Sequence, residues 1–237
     1  MSDAATESAL DNPVWSCLST HHAHLARGGD FAKRYPTEIS PIAAVAGATP
    51  AHVAALQKLF APGDVLAIAG AFVPVLGPDW EILRESRMLQ MVMREPMPML
   101  EPVAEIAVLS AADVDEMLAL TELTHPGPFR ARTIQLGTYV GVRRHGRLVA
   151  MAGERMRVGN HREISAVCTH PEASGRGYAR MLMGRVIDGM LRAGLVPFLH
   201  VETANERAIT LYRTLGFVER AEFPLLFAKR IGGGAES

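Results

Sequence analysis

Cysteine is nearly missing from this chain: among 237 residues only Cys17 and Cys168 carry a thiol, and they lie far apart in the sequence. Two such residues support neither a disulfide framework nor a zinc site, and both are read as reduced. An excess of charge of either sign is missing too, since 24 Lys and Arg stand against 25 Asp and Glu for a formal net charge of −1. That balance offers no broad basic face to nucleic acid. No run of about 18 uncharged apolar residues suggests a membrane span. The acidic, polar start lacks the basic-then-apolar layout of a secretory leader, and no repeat of about 20 to 50 residues recurs. The expectation is a cytoplasmic, soluble monomer or homodimer whose residues 1–12 form a disordered tail.

What is present suffices for real cores, with 49% hydrophobic and 21% charged residues. Asn12-Pro13 reads as an N-cap and first helical residue, and Val14, Leu18, His21 and Leu25 keep helical spacing until Gly28-Gly29. Thr49-Pro50 repeats the device for a helix through Val53, Leu56 and Leu59. Two apolar runs, 65–71 and 88–93, read as strands. Residues 13–95 therefore form an N-terminal α/β region. The three prolines of Glu95-Pro-Met-Pro-Met-Leu-Glu-Pro102 cannot join a helix interior or a central strand, so the domain boundary falls there.

After it, 104–109 reads as a strand, and Ser110-Ala-Ala-Asp113 as a capping box opening a helix through Met117, Leu118 and Leu120 that ends at His125-Pro-Gly-Pro128. A hairpin of 138–143 and 147–156 turns at His145-Gly146. Strand 163–169, helix 177–192 closed by Gly194, strand 196–202, helix 205–215 and strand 217–229, broken at Pro224, complete a second domain over 103–232. The order β-α-β-β-β-α-β-α-β describes a mixed α/β (α+β) fold.

The stretch with most chemical content is Val167-Cys168-Thr169-His170-Pro171-Glu172-Ala173-Ser174-Gly175-Arg176-Gly177-Tyr178-Ala179-Arg180, a strand that turns through glycines into a helix. Glycines let successive N–H groups converge, and a helix N-terminus adds partial positive charge, so an anion fits there. A dinucleotide fingerprint is disfavoured, because Arg180 takes its third glycine position and five residues separate strand from turn. A phosphate-binding Walker loop is disfavoured as well, for no Gly-Lys-Ser/Thr follows.

Ser174-Gly175-Arg176-Gly177-Tyr178-Ala179, followed by Asn205, Ala208, Tyr212 and Gly216-Phe217, resembles the GCN5-related N-acetyltransferase (GNAT) family and its FR47-like C-terminal domain. The likeness covers about 104–230. It implies a mixed, mostly antiparallel sheet flanked by helices, with the N-terminal α/β region read as a degenerate GNAT-like half. The family turn begins with Gln or Arg, so Ser174 is a departure that leaves Arg176 and Arg180 to supply charge. The resemblance implies acetyl-CoA as co-substrate, with no metal. Its pyrophosphate would lie on Ser174, Gly175, Arg176, Gly177, Tyr178, Ala179 and Arg180, and its pantetheine on the backbone of Val167, Cys168 and Thr169. Asn205 would bond the cofactor or serve only as a helix cap. A tyrosine at the start of a helix more often packs, and that reading stays open for Tyr178.

Acetyl transfer to an amine needs a base, a polarised carbonyl and a proton for the departing thiolate. By the resemblance Tyr212 supplies the proton, and Glu163, thirteen residues before Arg176, is the base. Strand alternation places Glu163, Ser165, Val167 and Thr169 on one face, and burial is expected to raise the Glu163 carboxyl toward neutrality. Glu154, Glu202 or a water relay are the alternatives. Cys168 reads as core packing rather than a nucleophile, since an apolar setting raises a thiol's pKa. His21, His22 and His24 read as helix surface or core, not metal ligands. By the resemblance the His125–Pro128 loop, with Phe129 and Arg130, either shapes the acceptor entrance or is a mobile loop without that role. The function expected is direct acetyl transfer to a primary amine of a small molecule or peptide. The alternatives are a glycine N-acyltransferase-like enzyme and a non-catalytic acyl-CoA sensor.

Overall fold

The computed structural model describes residues 8–95 and 104–232. Pro13 does open a helix, α1 (Pro13–Ser19), but the helix is about half the expected length and gives way to a short 3-10 turn at Ala23–Leu25. Asn12 makes no side-chain cap; its amide donates instead to the Val45 carbonyl at 2.7 Å. Short strands β1 (Arg27–Gly28), β2 (Ala32–Arg34) and β3 (Ala43–Val45) form a three-stranded sheet, and α2 (Pro50–Gln57) packs on β2 and β3. Then come β4 (Val65–Ala69) and β5 (Trp80–Met93). Only residues 88–93 of β5 form an apolar run, because Glu81 to Arg87 are polar or exposed.

The chain continues through β6 (Ala107–Leu109), α3 (Val114–Thr124), β7 (Tyr139–Arg144), β8 (Arg147–Val158) and β9 (His161–Thr169). It ends with α4 (Tyr178–Arg192), β10 (Val196–Glu202), α5 (Glu206–Thr214) and β11 (Phe217–Arg230). The capping box at Ser110 and Asp113 is formed, and the hairpin turns where His145 and Gly146 both have positive φ, as a primed two-residue turn requires. Pro224 does not break β11. Pairing with β4 begins only at Leu225, so Pro224 stands where one side of the strand is open and its missing N–H costs no ladder bond there.

The main sheet has eight strands in the order β4-β11-β5-β10-β9-β8-β7-β6. Neighbours β9 and β10 run parallel, and every other adjacent pair is antiparallel. Alternation sorts side chains into two layers. Met91 and Met93 of β5 join the core under α4 and α5, while Val92 between them joins the core under α1. Leu199 and Phe198 of β10 divide in the same way.

This topology corrects the expected division at the proline segment, most of which (96–103) lies outside the described residues. The strand β5 from the N-terminal region is inserted between β10 and β11, so 13–95 and 103–232 share one sheet. The expected tail is corrected likewise for residues 8–12. Leu10 is 1% exposed, and Asp11 pairs with Arg220 at 2.8 Å; residues 1–7 lie outside the description. A fragment beginning at Ala104 would leave β10 without β5 on one side and β11 without either of its partners, β4 and β5. Expressed alone, 104–237 is expected to lack a dispersed NMR spectrum and a cooperative thermal transition, where the full chain has both.

Candidate active site

Pairing between β9 and β10 runs from His161↔Val196 to Ile164↔Leu199 and stops. Beyond that point the strands part. A bulge helps to part them: the β8 register shifts between Met151 and Gly153, and Ala166 takes a positive φ of 54°. The shift changes the phase of β9, so that Ile164 belongs to the α4 layer but Ala166 and Cys168 to the α3 layer. Val167 returns to the α4 layer.

Two cavities open at the splay. One, of ≈ 510 Å³, is the groove bordered by Val167, Cys168, Thr169, the turn Ser174 to Arg180, Arg207 and Leu211. Gly175 and Gly177 have φ of +76° and +78°, and a Cβ on either would meet nothing within 4 Å. Gly177 is the N-cap of α4 with no side chain to satisfy the first-turn N–H groups, which are left for a ligand. Arg176, Arg180 and Arg207 line this groove without a carboxylate partner among the described residues. Buried atoms Arg180 Nε and Thr169 Oγ1 have no hydrogen-bond partner. Open glycines, orphan donors and free cations together fit a pyrophosphate-bearing ligand of the coenzyme A type. Arg207 was not singled out in the sequence, although it sits within the Asn205 motif.

The second cavity, of ≈ 480 Å³, lies between the splayed strand ends, β11, β5, the 125–128 loop and the N-terminal region. The two cavities share His125, Pro126, Val167, Asn205 and Tyr212. Tyr212 is 8% exposed, and burial pushes its phenol up to about 12. Asn205 caps α5 through its Oδ1, which accepts from Ala208 N–H at 3.1 Å, leaving the amide N–H groups for the cavities. His125 ends α3 in the left-handed conformation and places the loop at this junction. His125 to Pro128 line the second cavity, whereas Phe129 and Arg130 line neither. Phe129 is buried against Tyr139, ring centroids 5.6 Å apart.

Glu163 is not placed as a base. The bulge puts it on the face opposite Val167, below the splay, and it is fully buried. Arg155 Nε and Nη2 each donate to it at 2.7 Å, and His200 Nδ1 lies 2.7 Å from Oε1. Burial alone raises a carboxyl pKa, but the Arg155 charge and hydrogen bonds, followed by His200, outweigh it and hold Glu163 at about 2. Such a carboxylate clamps; it does not take protons at neutral pH. The Gln90 amide donates to the Leu10 carbonyl and accepts from Arg220, which turns its Nε2 toward His200 Nε2 at 3.1 Å. These bonds assign the His200 proton to Nδ1.

The other carboxylates divide. Glu154 is held by Arg162 at 2.9 Å and lines neither cavity, whereas Glu202 lines the second cavity and pairs with Arg84 at 2.8 Å. Tyr178 contributes its backbone to the turn, but its ring is core and its hydroxyl accepts from Arg144. Cys168 is buried, and burial lifts its thiol to about 11, in keeping with packing. His22 bonds Tyr35, and among the described residues no group of His, Cys, Asp or Glu is placed to hold a metal. Among those residues, too, no helix is long and apolar enough to cross a membrane.

Two outcomes test this geometry. Because the Glu163 pKa falls from 4.5 to about 2 on folding, its contribution is complete above about pH 4.5 and is lost as pH falls toward 2. That contribution is on the order of 3 kcal/mol. Glu163→Gln should lower stability at pH 7 and flatten the acid limb of a denaturation-versus-pH curve. Gly177→Val should reduce acetyl-CoA affinity by about tenfold or more in calorimetry, since its side chain occupies the cradle and strains a left-handed position.

Comparison with known proteins finds relatives in sequence and in fold. The family profile of FR47-like protein matches residues 139–223. A crystal structure of a GNAT-family protein from Novosphingobium aromaticivorans DSM 12444 is 38% identical, with a TM-score of 0.85 over 93% of this chain and 98% of that one. A GCN5-related N-acetyltransferase from Kribbella flavida shares the fold at 17% identity, with a TM-score of 0.62 over 92% of this chain and 94% of its own. N-alpha-acetyltransferase RimI of Mycobacterium tuberculosis is 39% identical over 83 residues, 33% of this chain and 51% of RimI. An uncharacterised Mycobacterium leprae protein is 31% identical over 199 residues, 77% of this chain and 54% of that protein. The chain thus spans about half the length of the curated relatives it matches. The Novosphingobium protein is matched over nearly its whole length, and on that likeness the chain belongs to the GNAT acetyltransferase family.

Proposed function

We propose that the protein transfers an acetyl group from acetyl-CoA directly to a primary amine. The carrying observation is that an anion-binding groove and a largely apolar cavity meet at five shared residues, Tyr212 among them. Such a junction is where a thioester from one side and an amine from the other come within reach. When bound, acetyl-CoA supplies a thioester whose C–S bond breaks as the amine's N–C bond forms.

The chain's residues supply the rest. Gly175, Arg176, Gly177, Ala179, Arg180 and Arg207 hold the phosphates, and the unpaired β9 edge at Val167 to Thr169 aligns the pantetheine arm. Backbone N–H groups of the same edge face the thioester oxygen as charge develops on it. With Glu163 committed to Arg155 and His200, the amine proton leaves through Glu202 or water. Tyr212 donates a hydrogen bond to the departing sulfur. A phenol near 12 is a far weaker acid than a thiol of ordinary pKa about 8.5, so Tyr212 gives up its proton only as another replaces it. It acts as a relay and does not end the step as tyrosinate.

Tyr212→Phe keeps the ring against Phe217 and removes the hydroxyl. Turnover, read as free-thiol release with an amine panel, should fall by about 100-fold while calorimetric acetyl-CoA affinity stays essentially unchanged. A loss of affinity with turnover retained would count against this role. Tight acetyl-CoA binding by the wild-type chain with no thiol release for any amine would instead favour a sensor.

A further inference from the structure

The ≈ 480 Å³ cavity and the groove beside it treat charge in opposite ways. In the groove, three arginines face the ligand without a carboxylate among the described residues. In the cavity every charged side chain of the wall except the exposed His125 is already matched. Both donors that Arg155 uses are spent on Glu163, and His200 donates its Nδ1 proton to the same carboxylate. Arg84 is paired with Glu202 and lies over the Phe227 ring at 4.7 Å. The remaining wall is chiefly Val14, Ile42, Ile68, Met88 and Leu225. The volume is that of a small-molecule pocket, and residues of α1 and β4 line it while lining no part of the groove.

Resting on the acetyl-transfer reading above, we propose that the acceptor is a small primary monoamine with an apolar body and no second charge. The reacting nitrogen sits at the junction, near Tyr212 and Glu202, where it sheds its proton, and the body of the molecule fills the apolar wall. Among the described residues, a second ammonium, as in a polyamine, enters a space with no unpaired carboxylate, and a carboxylate, as in an amino acid, meets no unpaired basic side chain but the exposed His125. Either group loses its hydration and gains nothing in return. The N-terminal region thereby acquires a role, as the wall that selects the acceptor.

The test uses the full chain saturated with CoA, titrated in a calorimeter with 2-phenylethylamine, putrescine or glycine. The expected result is that 2-phenylethylamine binds at least about tenfold more tightly than either of the others. Equal or weaker binding, or none, overturns the proposal. Met88→Glu adds an unpaired carboxylate to the wall, and putrescine should then gain at least about tenfold relative to 2-phenylethylamine. Unchanged CoA affinity in the variant verifies that it is folded, and an unchanged amine preference in a folded variant overturns the assignment of this cavity. Free-thiol release with acetyl-CoA is read separately. If 2-phenylethylamine binds as expected but no amine releases thiol, acetyl transfer fails as the function while the charge logic of the cavity stands.

Discussion

The Arg155–Glu163–His200 clamp is the interaction on which the site depends. Its three residues come from β8, β9 and β10, and the clamp straddles the end of the β9–β10 ladder, Glu163 one residue before the last pair, Ile164 and Leu199, and His200 one residue beyond it. Below it the strands are bonded; above it they part and admit ligands. A splayed pair of strands exposes unpaired backbone on both inner edges and is under constant tendency to open further or to close. An ionised carboxylate bound by a bidentate guanidinium and an imidazole fixes where the opening begins, because removing one partner leaves a buried charge that costs about 3–5 kcal/mol. The clamp also continues outward through His200, Gln90, Arg220 and Asp11, so the splay is tied to the first described residues of the chain.

That continuity explains why the N-terminal region is integral. The strand β5 fills the gap between β10 and β11, and its Gln90 is fully buried at the centre of the polar chain. The same region delivers Val14, Ile42 and Ala67 to Gly70 to the second cavity. A segment that completes the sheet on one side of the clamp and walls the cavity on the other cannot move as an independent body without disturbing both.

The parts legible in the sequence were those specified by local chemistry. The glycine turn, the Ser110 and Asp113 capping box, the Asn205 cap, the primed hairpin turn and Val196–Glu202 all depend on neighbours within a few residues, and all are where the sequence put them. Long-range pairing decided the rest. Glu81 to Arg87 carry no apolar run that marks a strand, because β5 there is bonded to β11 on one side alone and its side chains meet solvent. Glu163 was misassigned because period-two alternation was carried through a bulge, and one inserted residue reverses the face of everything beyond it. The expected rise in its pKa followed from burial without a partner; Arg155, eight residues earlier across the β8–β9 hairpin, reverses the sign.

The same contrast governs the two ligands. The groove is built from one continuous strand–turn–helix and the next helix, so its glycines and arginines are close in sequence and their purpose can be read there. The cavity draws on α1, β4, β5, β8, β9, β10, β11 and the 125–128 loop, and no two of its charged residues form a motif. Its specificity comes from pairing: a cation that in the sequence looks available for a ligand is consumed by a carboxylate eight or more than a hundred residues away. An unpaired arginine solicits an anion, and a paired one leaves a neutral polar spot on an apolar wall. The acceptor's chemistry is therefore written in which charges are matched, a property that exists only once the sheet has closed.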